Sequence, residues 1–281
     1  MAAQDKAAQH KAVLVTGAAR GGGLRICRAL AARGFQVYAG VRGEPGELAA
    51  LPGVRTVPLE LADARSVEAV GQQLREAGEQ GLHGLVNNAG IIVQGPLELV
   101  PDSELRRQFE VNVFGPARLT QTLLPLLRAG HGRVVNVTAP TARLPAPYLG
   151  ALSASKAALQ ALSDAWRVEL APFGIRVVIV EPGAMRTDIF ATAAAAADKA
   201  LTEAPAATLA LYAERNAAVA AAGAKMKQHS PDHLADGVVR ALTAANPRPR
   251  YTVGPDTRLV GLVARLPLRT RDRLVRRLLG L

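Results

Sequence analysis

A glycine-rich stretch near the start of the chain is the first place where residue type and spacing suggest chemistry. Thr16-Gly17-Ala18-Ala19-Arg20-Gly21-Gly22-Gly23 follows the apolar run Ala12 to Val15 and precedes a helical pattern from Leu24 to Arg33. Glycines there allow a tight turn and close approach of backbone to a pyrophosphate. The helix start behind them offers unpaired N–H groups and the positive end of the helix dipole. A glycine cluster by itself is a weak signal, but between a strand and a helix it predicts a dinucleotide site. No other residue set competes. His10, His83, His131, His229 and His233 have no metal-ligand spacing and are expected to be exposed. The single cysteine, Cys27, excludes an internal disulfide and a cysteine-rich metal centre, and reads as a small core residue of the first helix. No metal site is expected.

Further motifs stand at matching distances along the chain: Asn87-Asn88-Ala89-Gly90, Asn112 within Val111-Asn112-Val113, Ser153-Ala154-Ser155-Lys156, and Pro182-Gly183 with Thr187. Together with Gly17, Gly21 and Gly23, this pattern resembles the short-chain dehydrogenases/reductases over about residues 12–255. The resemblance implies a role for each matching position. Gly17, Gly21 and Gly23 would cradle the diphosphate. Asn88, Ala89 and Gly90 would line the adenosine ribose and support the sheet. Lys156 would hydrogen-bond the nicotinamide ribose, and Thr187, in the segment opened by Pro182-Gly183, would fix the carboxamide. Glu60, with Leu61 beside it, stands where an acidic residue often holds the adenine, while Asp63 reads as a helix cap. A homodimer or homotetramer built through the helices around 102–128 and 153–171 is also implied.

The choice of cofactor has a physical basis. A carboxylate at the end of the second strand would bind the 2′-hydroxyl of NAD and repel a 2′-phosphate. The segment here reads Tyr38-Ala39-Gly40-Val41-Arg42, with no carboxylate. Arg42 can pair with a phosphate in bidentate fashion, and Arg20 adds a second cation. NADP(H) is therefore the expected cofactor; merely solvated arginines are the competing reading.

The family's reaction needs an acid beside the carbonyl that accepts hydride. A tyrosine four residues before the lysine supplies it, a serine about thirteen residues earlier polarises the carbonyl, and an asparagine holds a relay water. Asn112 and Lys156 are in place here, but position 152 is leucine and position 139 is alanine. The runs Arg133 to Val137 and Ser153 to Lys156 hold the register on both sides without a gap. Tyr148 is the candidate substitute acid, although a wall or interface residue is the competing reading. Thr138, adjacent to Ala139 on a strand, is expected to point away, and Ser153 and Ser155 lie off the face of residue 152. Asp188 could contact the cofactor or a lid. Ala139, Leu152, Ile91, Val93, Met185 and Phe190 are expected to form an apolar substrate pocket.

Three readings follow. The leading one is an NADPH-binding oxidoreductase of specialised metabolism. Its medium or large apolar substrate would be one whose reduction needs no tyrosine acid: an iminium ion, a quinone methide or an activated alkene. The second is a non-redox cyclase, isomerase, dehydratase or rearrangement catalyst on the same scaffold. The third is a non-catalytic NADP-binding protein.

These residues must be held by a framework, and the framework is legible as alternation. Apolar runs Ala12 to Val15, Gln36 to Ala39, Val54 to Leu59, Leu82 to Val86, Arg133 to Val137, Ile175 to Val180 and Arg250 to Gly254 read as strands. Helical patterns fall between them: Leu24 to Arg33, Ser66 to Gly78, Asp102 to Arg128 with a kink or break expected at Pro116, and Ser153 to Ala171. Fully apolar strands alternating with helices predict an α/β fold with one doubly wound parallel sheet of Rossmann type, covered by helices on both faces. Residues 1–11 read as a flexible tail and 12–255 as the domain. Ala191 to Gly223 within 185–230 reads as an alanine-rich helical lid, Asp232 to Ala245 as a further helix, and Leu259 to Leu281 as a basic amphipathic tail. That tail could lie on a membrane surface or a partner, but packing on the domain is the favoured reading.

Composition agrees. Of 281 residues, 49% are apolar, enough for a sizeable core. No apolar run reaches the length of a membrane span, and the polar N-terminus lacks a signal-like core, so a cytoplasmic protein without membrane insertion is expected. The net charge of +11 raises nucleic-acid binding, but aromatics make up only 4% and no aromatic-interleaved basic strip occurs, so a small-molecule partner is expected instead.

Overall fold

Valine is the commonest residue across seven short runs, and these pair into one sheet. The computed structural model describes residues 11–187, 189–201, 205–226 and 228–281. The strands are β1 (Ala12–Thr16), β2 (Gln36–Val41), β3 (Val54–Pro58), β4 (Gly84–Asn87), β5 (Arg133–Val137), β6 (Arg176–Pro182) and β7 (Arg250–Val253). All pairs are parallel, in the order β3-β2-β1-β4-β5-β6-β7. β1 and β4 are buried along their whole length. Strands covered on both faces have no solvent side, which is why their sequences lack polar alternation.

Connections run through α1 (Gly21–Ala31), α2 (Ala64–Glu76), α3 (Asp102–Phe109), α4 (Gly115–Ala129), α5 (Gly150–Glu169), α6 (Ile189–Leu201), α7 (Ala206–Ala224) and α8 (Pro231–Thr243). α9 (Pro255–Val263) and α10 (Leu268–Leu279) follow β7. Alternation along the strands sorts two apolar layers. Val13, Val15, Val37, Val135 and Val178 pack against Ile26, Cys27 and Leu30 of α1 and Leu234, Val238 and Leu242 of α8. Leu14, Tyr38, Leu85, Val134 and Val177 pack against Val67, Val70 and Leu74 of α2 and Leu119, Leu123 and Leu127 of α4. This is the doubly wound architecture expected. The chain winds one way through β2 and β3 and the other way through β4 to β7. The crevice beyond the carboxyl ends of β1 and β4 is therefore the topological switch point, where ligands of such sheets bind.

Some boundaries differ from expectation, each for a physical reason. The Asp102 to Arg128 stretch is interrupted by a π-helical turn at Glu110–Phe114. Pro116 occupies the first turn of α4, where a missing N–H costs nothing, and the break falls just before it. The alanine-rich stretch is two helices, with Pro205 capping the second. The C-terminal stretch is also two helices, because Pro267 stands at the start of α10. Asp63 caps α2, its carboxylate accepting from the Arg65 N–H at 2.9 Å. Two histidines expected at the surface are not there. His83 is half-buried against Phe35, and burial pushes its pKa down. His229 is buried and faces the Asp256 carboxylate at 3.0 Å. His10 and Asp188 lie outside the described residues.

Candidate active site

The glycine turn sits at the switch point, and its tightness explains the residue choice. Gly17 has φ +64°, and a Cβ there would stand 2.8 Å from Ala89 Cα. A Cβ on Gly23 would collide with the Gly17 carbonyl, so the first helical turn packs directly on the loop. Gly21 also has a positive φ, +55°. Arg20 precedes α1 in extended backbone without a side-chain cap, and the first turn holds no acidic residue. The N–H groups at this helix start are thus available to an anion. Thr16 ties the two sides of the crevice together: its Oγ1 accepts from the Asn88 and Ala89 N–H groups, each at 3.0 Å, and Asn88 Nδ2 donates back to the Thr16 carbonyl at 2.9 Å. The Thr187 methyl group lies 3.3 Å from where a Gly21 Cβ would be, which brings the segment after β6 over the glycine turn. Within that segment Gly183 leaves room for the Asp256 carboxylate. A cradle that side chains would fill, set on a helix N-terminus, fits a pyrophosphate.

At the adenosine end, Arg42 closes β2 as an exposed side chain, and Arg20 is exposed as well. Arg42 Nη1 stands 3.6 Å from Glu60 Oε2, and Glu60 Oε1 accepts from the Ala62 N–H at 3.1 Å. Glu60 is thereby oriented by a local turn and by Arg42. Leu61 is buried behind Gly115, whose lack of a side chain admits it.

At the other end, α5 carries Lys156 into the interior. Its Nζ donates to the Val137 carbonyl at 2.9 Å, and burial pushes its pKa down to about 8. A Cβ on Gly90 would stand 3.5 Å from that Nζ and 3.3 Å from Asn112 Oδ1, so Gly90 is where the two meet. The π turn bears Asn112, and such turns often mark functional sites. Asn112 accepts from the Ile91 N–H at 2.9 Å and donates to the Ile91 carbonyl at 3.0 Å. Leu152, one helical turn before Lys156, is 5% exposed and packs with Ile92, Ala193 and Leu149. Ala139 is extended and half-buried just beyond β5. Thr138 continues the strand, its N–H donating to the Val180 carbonyl at 2.9 Å. By alternation it shares the side of Asn136, which bonds Ser163 of α5. Its hydroxyl is buried without a hydrogen-bond partner among the described residues.

Val93 lines a narrow slot with Ile92, Leu99, Val100, Ala193 and Ala196, together with Gln94 and Glu104, between the loop after β4 and α6. Met185 packs instead into the α1–α8 core layer, bridged to His229, and Phe190 is exposed on α6. Tyr148 sits at φ +65°, a region that non-glycine residues rarely occupy. Its carbonyl accepts from the Gly95 N–H at 2.8 Å, and its ring meets Tyr212 of α7 edge-on at 6.5 Å. Tyr212 in turn donates to Glu98 at 2.6 Å, and that bond holds its phenol pKa up. Tyr148 thus packs against α7, and among the described residues its hydroxyl makes no hydrogen bond to Lys156.

Sequence reasoning passed over Gln108 and gave Ser155 no role. Gln108 is fully buried. It accepts from the Val93 N–H at 2.6 Å and donates to the Ile91 carbonyl and Ser155 Oγ, and Asn112 also donates to Ser155. Together they fix the 90–93 loop over the site. The available signal was an amide pair one helical turn apart, Gln108 and Asn112, on an otherwise apolar-facing stripe. A second network is more remote: buried Glu181 of β6 pairs with Arg143 and with Arg250.

Comparisons with known proteins agree with this fold. Residues 11–199 match the short chain dehydrogenase family, and the chain belongs to that family of nicotinamide-dependent oxidoreductases. It is 40% identical over 183 residues to the 3-amino-tetrahydro-pyrrolizinone reductase of Xenorhabdus hominickii; the match covers 64% of each chain, so it spans less than two thirds of that relative. It is 34% identical to mouse retinol dehydrogenase 5, over 96% of this chain and 89% of that one. Among solved structures, a short-chain dehydrogenase from Streptomyces avermitilis superposes with a TM-score of 0.72 at 30% identity, covering 98% of this chain and 96% of that one. A Burkholderia cenocepacia short chain dehydrogenase in complex with NADP superposes with a TM-score of 0.71 at 26% identity, covering 94% and 97%.

Proposed function

We propose that this chain is an NADPH-dependent reductase whose medium or large apolar substrate needs no tyrosine acid: an iminium ion, a quinone methide or an activated alkene. The observation that carries the proposal is Leu152, buried in an apolar cluster at the place where the family's acid would stand, beside an intact Lys156–Asn112 pair. Ala139 at the serine position removes the partner hydroxyl as well.

The residues divide the work. The Gly17–Gly23 turn and the α1 N-terminus would hold the diphosphate, Arg42 and Arg20 the 2′-phosphate, and Lys156 the nicotinamide ribose. Thr187 would position the carboxamide. When bound, NADPH would supply a hydride, which turns an iminium ion into a neutral amine; the enolate or phenolate formed from an activated alkene or a quinone methide would take its proton from solvent as the product leaves the site. The apolar cluster of Leu152, Ile92, Ala193 and Leu149 would exclude water beside the nicotinamide, and orientation rather than an acid would then carry the reaction. The NADP complex of the Burkholderia relative supports the phosphate form of the cofactor, and the pyrrolizinone reductase supports a reductive reaction.

The test is to mix protein, NADPH and a panel of ketones, cyclic imines and activated alkenes, and to follow the reduced-nicotinamide absorbance. NADPH consumption with imines or alkenes but not ketones is expected. Turnover of simple ketones at family-like rates, or substrate conversion without nicotinamide change, would refute the proposal.

A further inference from the structure

The last two helices present a surface that the redox chemistry does not use. α10 is strongly two-sided, yet none of its residues is buried. Leu259, Leu262, Leu268 and Leu278 are each more than 60% exposed, and Leu266 and Leu274 are partly so. Arg269, Arg273, Arg276 and Arg277 lie on the opposite side of α10 from Leu274, Leu278 and Val275 by helical spacing. The segment Pro255 to Leu281 holds seven arginines against two aspartates. Both aspartates are engaged: Asp256 faces His229, and Asp272 stands 3.9 Å from Arg271. Among the described residues, no carboxylate lies within ion-pair distance of the other six arginines. Beside α9, Arg143, Thr252, Thr257, Arg258, Leu262 and Arg265 line an open groove of about 280 Å³. Buried Glu181 holds Arg143 in place there.

We propose that α9 and α10 dock this enzyme on an anionic phospholipid bilayer. The leucines would enter the acyl boundary, and the arginines, with the α9 groove, would take the lipid phosphates. Helices with leucine on one side and arginine on the other bind membranes in this way, by apolar burial together with attraction to anionic headgroups. Charge selects this occupant over others. A second copy carries the same net charge of +11, and a two-fold contact would set these arginines against themselves. A nucleic acid would leave the leucines uncovered, and the segment has no aromatic side chain for stacking. No described helix is long and apolar enough to cross a membrane, so the docking is peripheral.

The test is co-sedimentation of the full chain with vesicles of phosphatidylcholine alone and of phosphatidylcholine with phosphatidylglycerol, at low and raised salt. The expected result is an affinity at least about tenfold higher for the anionic vesicles, reduced by salt. Two variants should each lose most of it: Arg269→Gln/Arg273→Gln/Arg276→Gln/Arg277→Gln, and Leu262→Ser/Leu278→Ser. All six positions are exposed, and unchanged NADPH binding and melting temperature certify the fold. Equal partition between the vesicle types, no sedimentation with either, or undiminished binding by either folded variant would overturn the proposal. So would a serine variant that splits an oligomer while the wild type ignores vesicles, or RNA binding stronger than vesicle binding. None of these readouts depends on the enzyme's substrate.

Discussion

Placing an acid at position 152 is the sharpest perturbation that the proposed site offers. Leu152 stands one helical turn before Lys156, and Ala139 lies at the end of β5. In the double variant Leu152→Tyr/Ala139→Ser, the new phenol would share the helix face of an ammonium whose pKa burial has pushed down to about 8. The cost comes from packing. Leu152 is 5% exposed and enclosed by Ile92, Ala193 and Leu149, so the larger ring should destabilise by about 1–3 kcal/mol. For a chain of this length that is a melting temperature lower by several degrees, a loss that a folded domain survives. The serine adds one oxygen at a half-buried position and should cost little. The gain comes from proton transfer, which typically contributes a factor of about 10²–10⁴. Steady-state assays with a ketone panel, read at the nicotinamide absorbance, should show reduction rising by about that factor over wild type. A folded double variant that binds NADPH and still reduces no ketone would refute the reasoning, because the pocket and not the acid would then be what excludes ketones.

Arg42→Ala should weaken NADPH binding about tenfold in a fluorescence titration, since a charge-assisted bond is lost at an exposed and therefore screened position, while NADH changes little; equal losses would sink the phosphate assignment. Gly23→Ala forces a methyl group onto the Gly17 carbonyl, so the variant should be less stable by about 1–3 kcal/mol and should bind cofactor poorly by calorimetry. Wild-type melting and cofactor affinity in that variant would show that the turn yields easily. Lys156 gives a pH signature. Its folded pKa, about 8, lies below the ordinary 10.5, so between those values the unfolded chain binds the extra proton and this group makes stability rise with pH. The full burial cost, about 3 kcal/mol, is therefore present at neutral pH and gone above the ordinary value. Urea denaturation should show Lys156→Met gaining on wild type at pH 7 and losing that advantage in alkali, whereas a gap independent of pH would contradict the buried ammonium.

Local rules carried the framework. Short apolar runs with no polar alternation fit strands covered on both faces, and their alternation with helical patterns points to a parallel sheet. Glycines between a strand and a helix leave backbone N–H groups open to an anion, which is why Gly17, Gly21 and Gly23 stand out in the sequence. The run Tyr38 to Arg42, with an arginine and no carboxylate at the end of β2, was equally plain, and so was the leucine four residues before Lys156. Helix ends were harder, because α3, the π turn and α4 share one hydrophobic period, and only packing around Asn112 decides where the winding changes.

Beyond these, the answers came from tertiary structure. The meeting of Lys156 with Asn112 at Gly90, the clasp of Gln108 and Ser155 on the 90–93 loop, and the pairing of Arg42 with Glu60 join residues far apart in sequence. So do Glu181 with Arg143 and Arg250, His229 with Asp256, and Tyr148 with Tyr212. A sequence reports which face of an element is apolar, because that depends on its own period. It does not report which buried polar group finds which partner, because that depends on strand register and on how helices cross the sheet. Sequence alone therefore determined the nicotinamide fold and the absence of a tyrosine at position 152. Only the assembled chain decided that Leu152 is sealed in an apolar cluster with Ile92 and Ala193, since that enclosure comes from the loop after β4 and from α6, which only folding brings against α5.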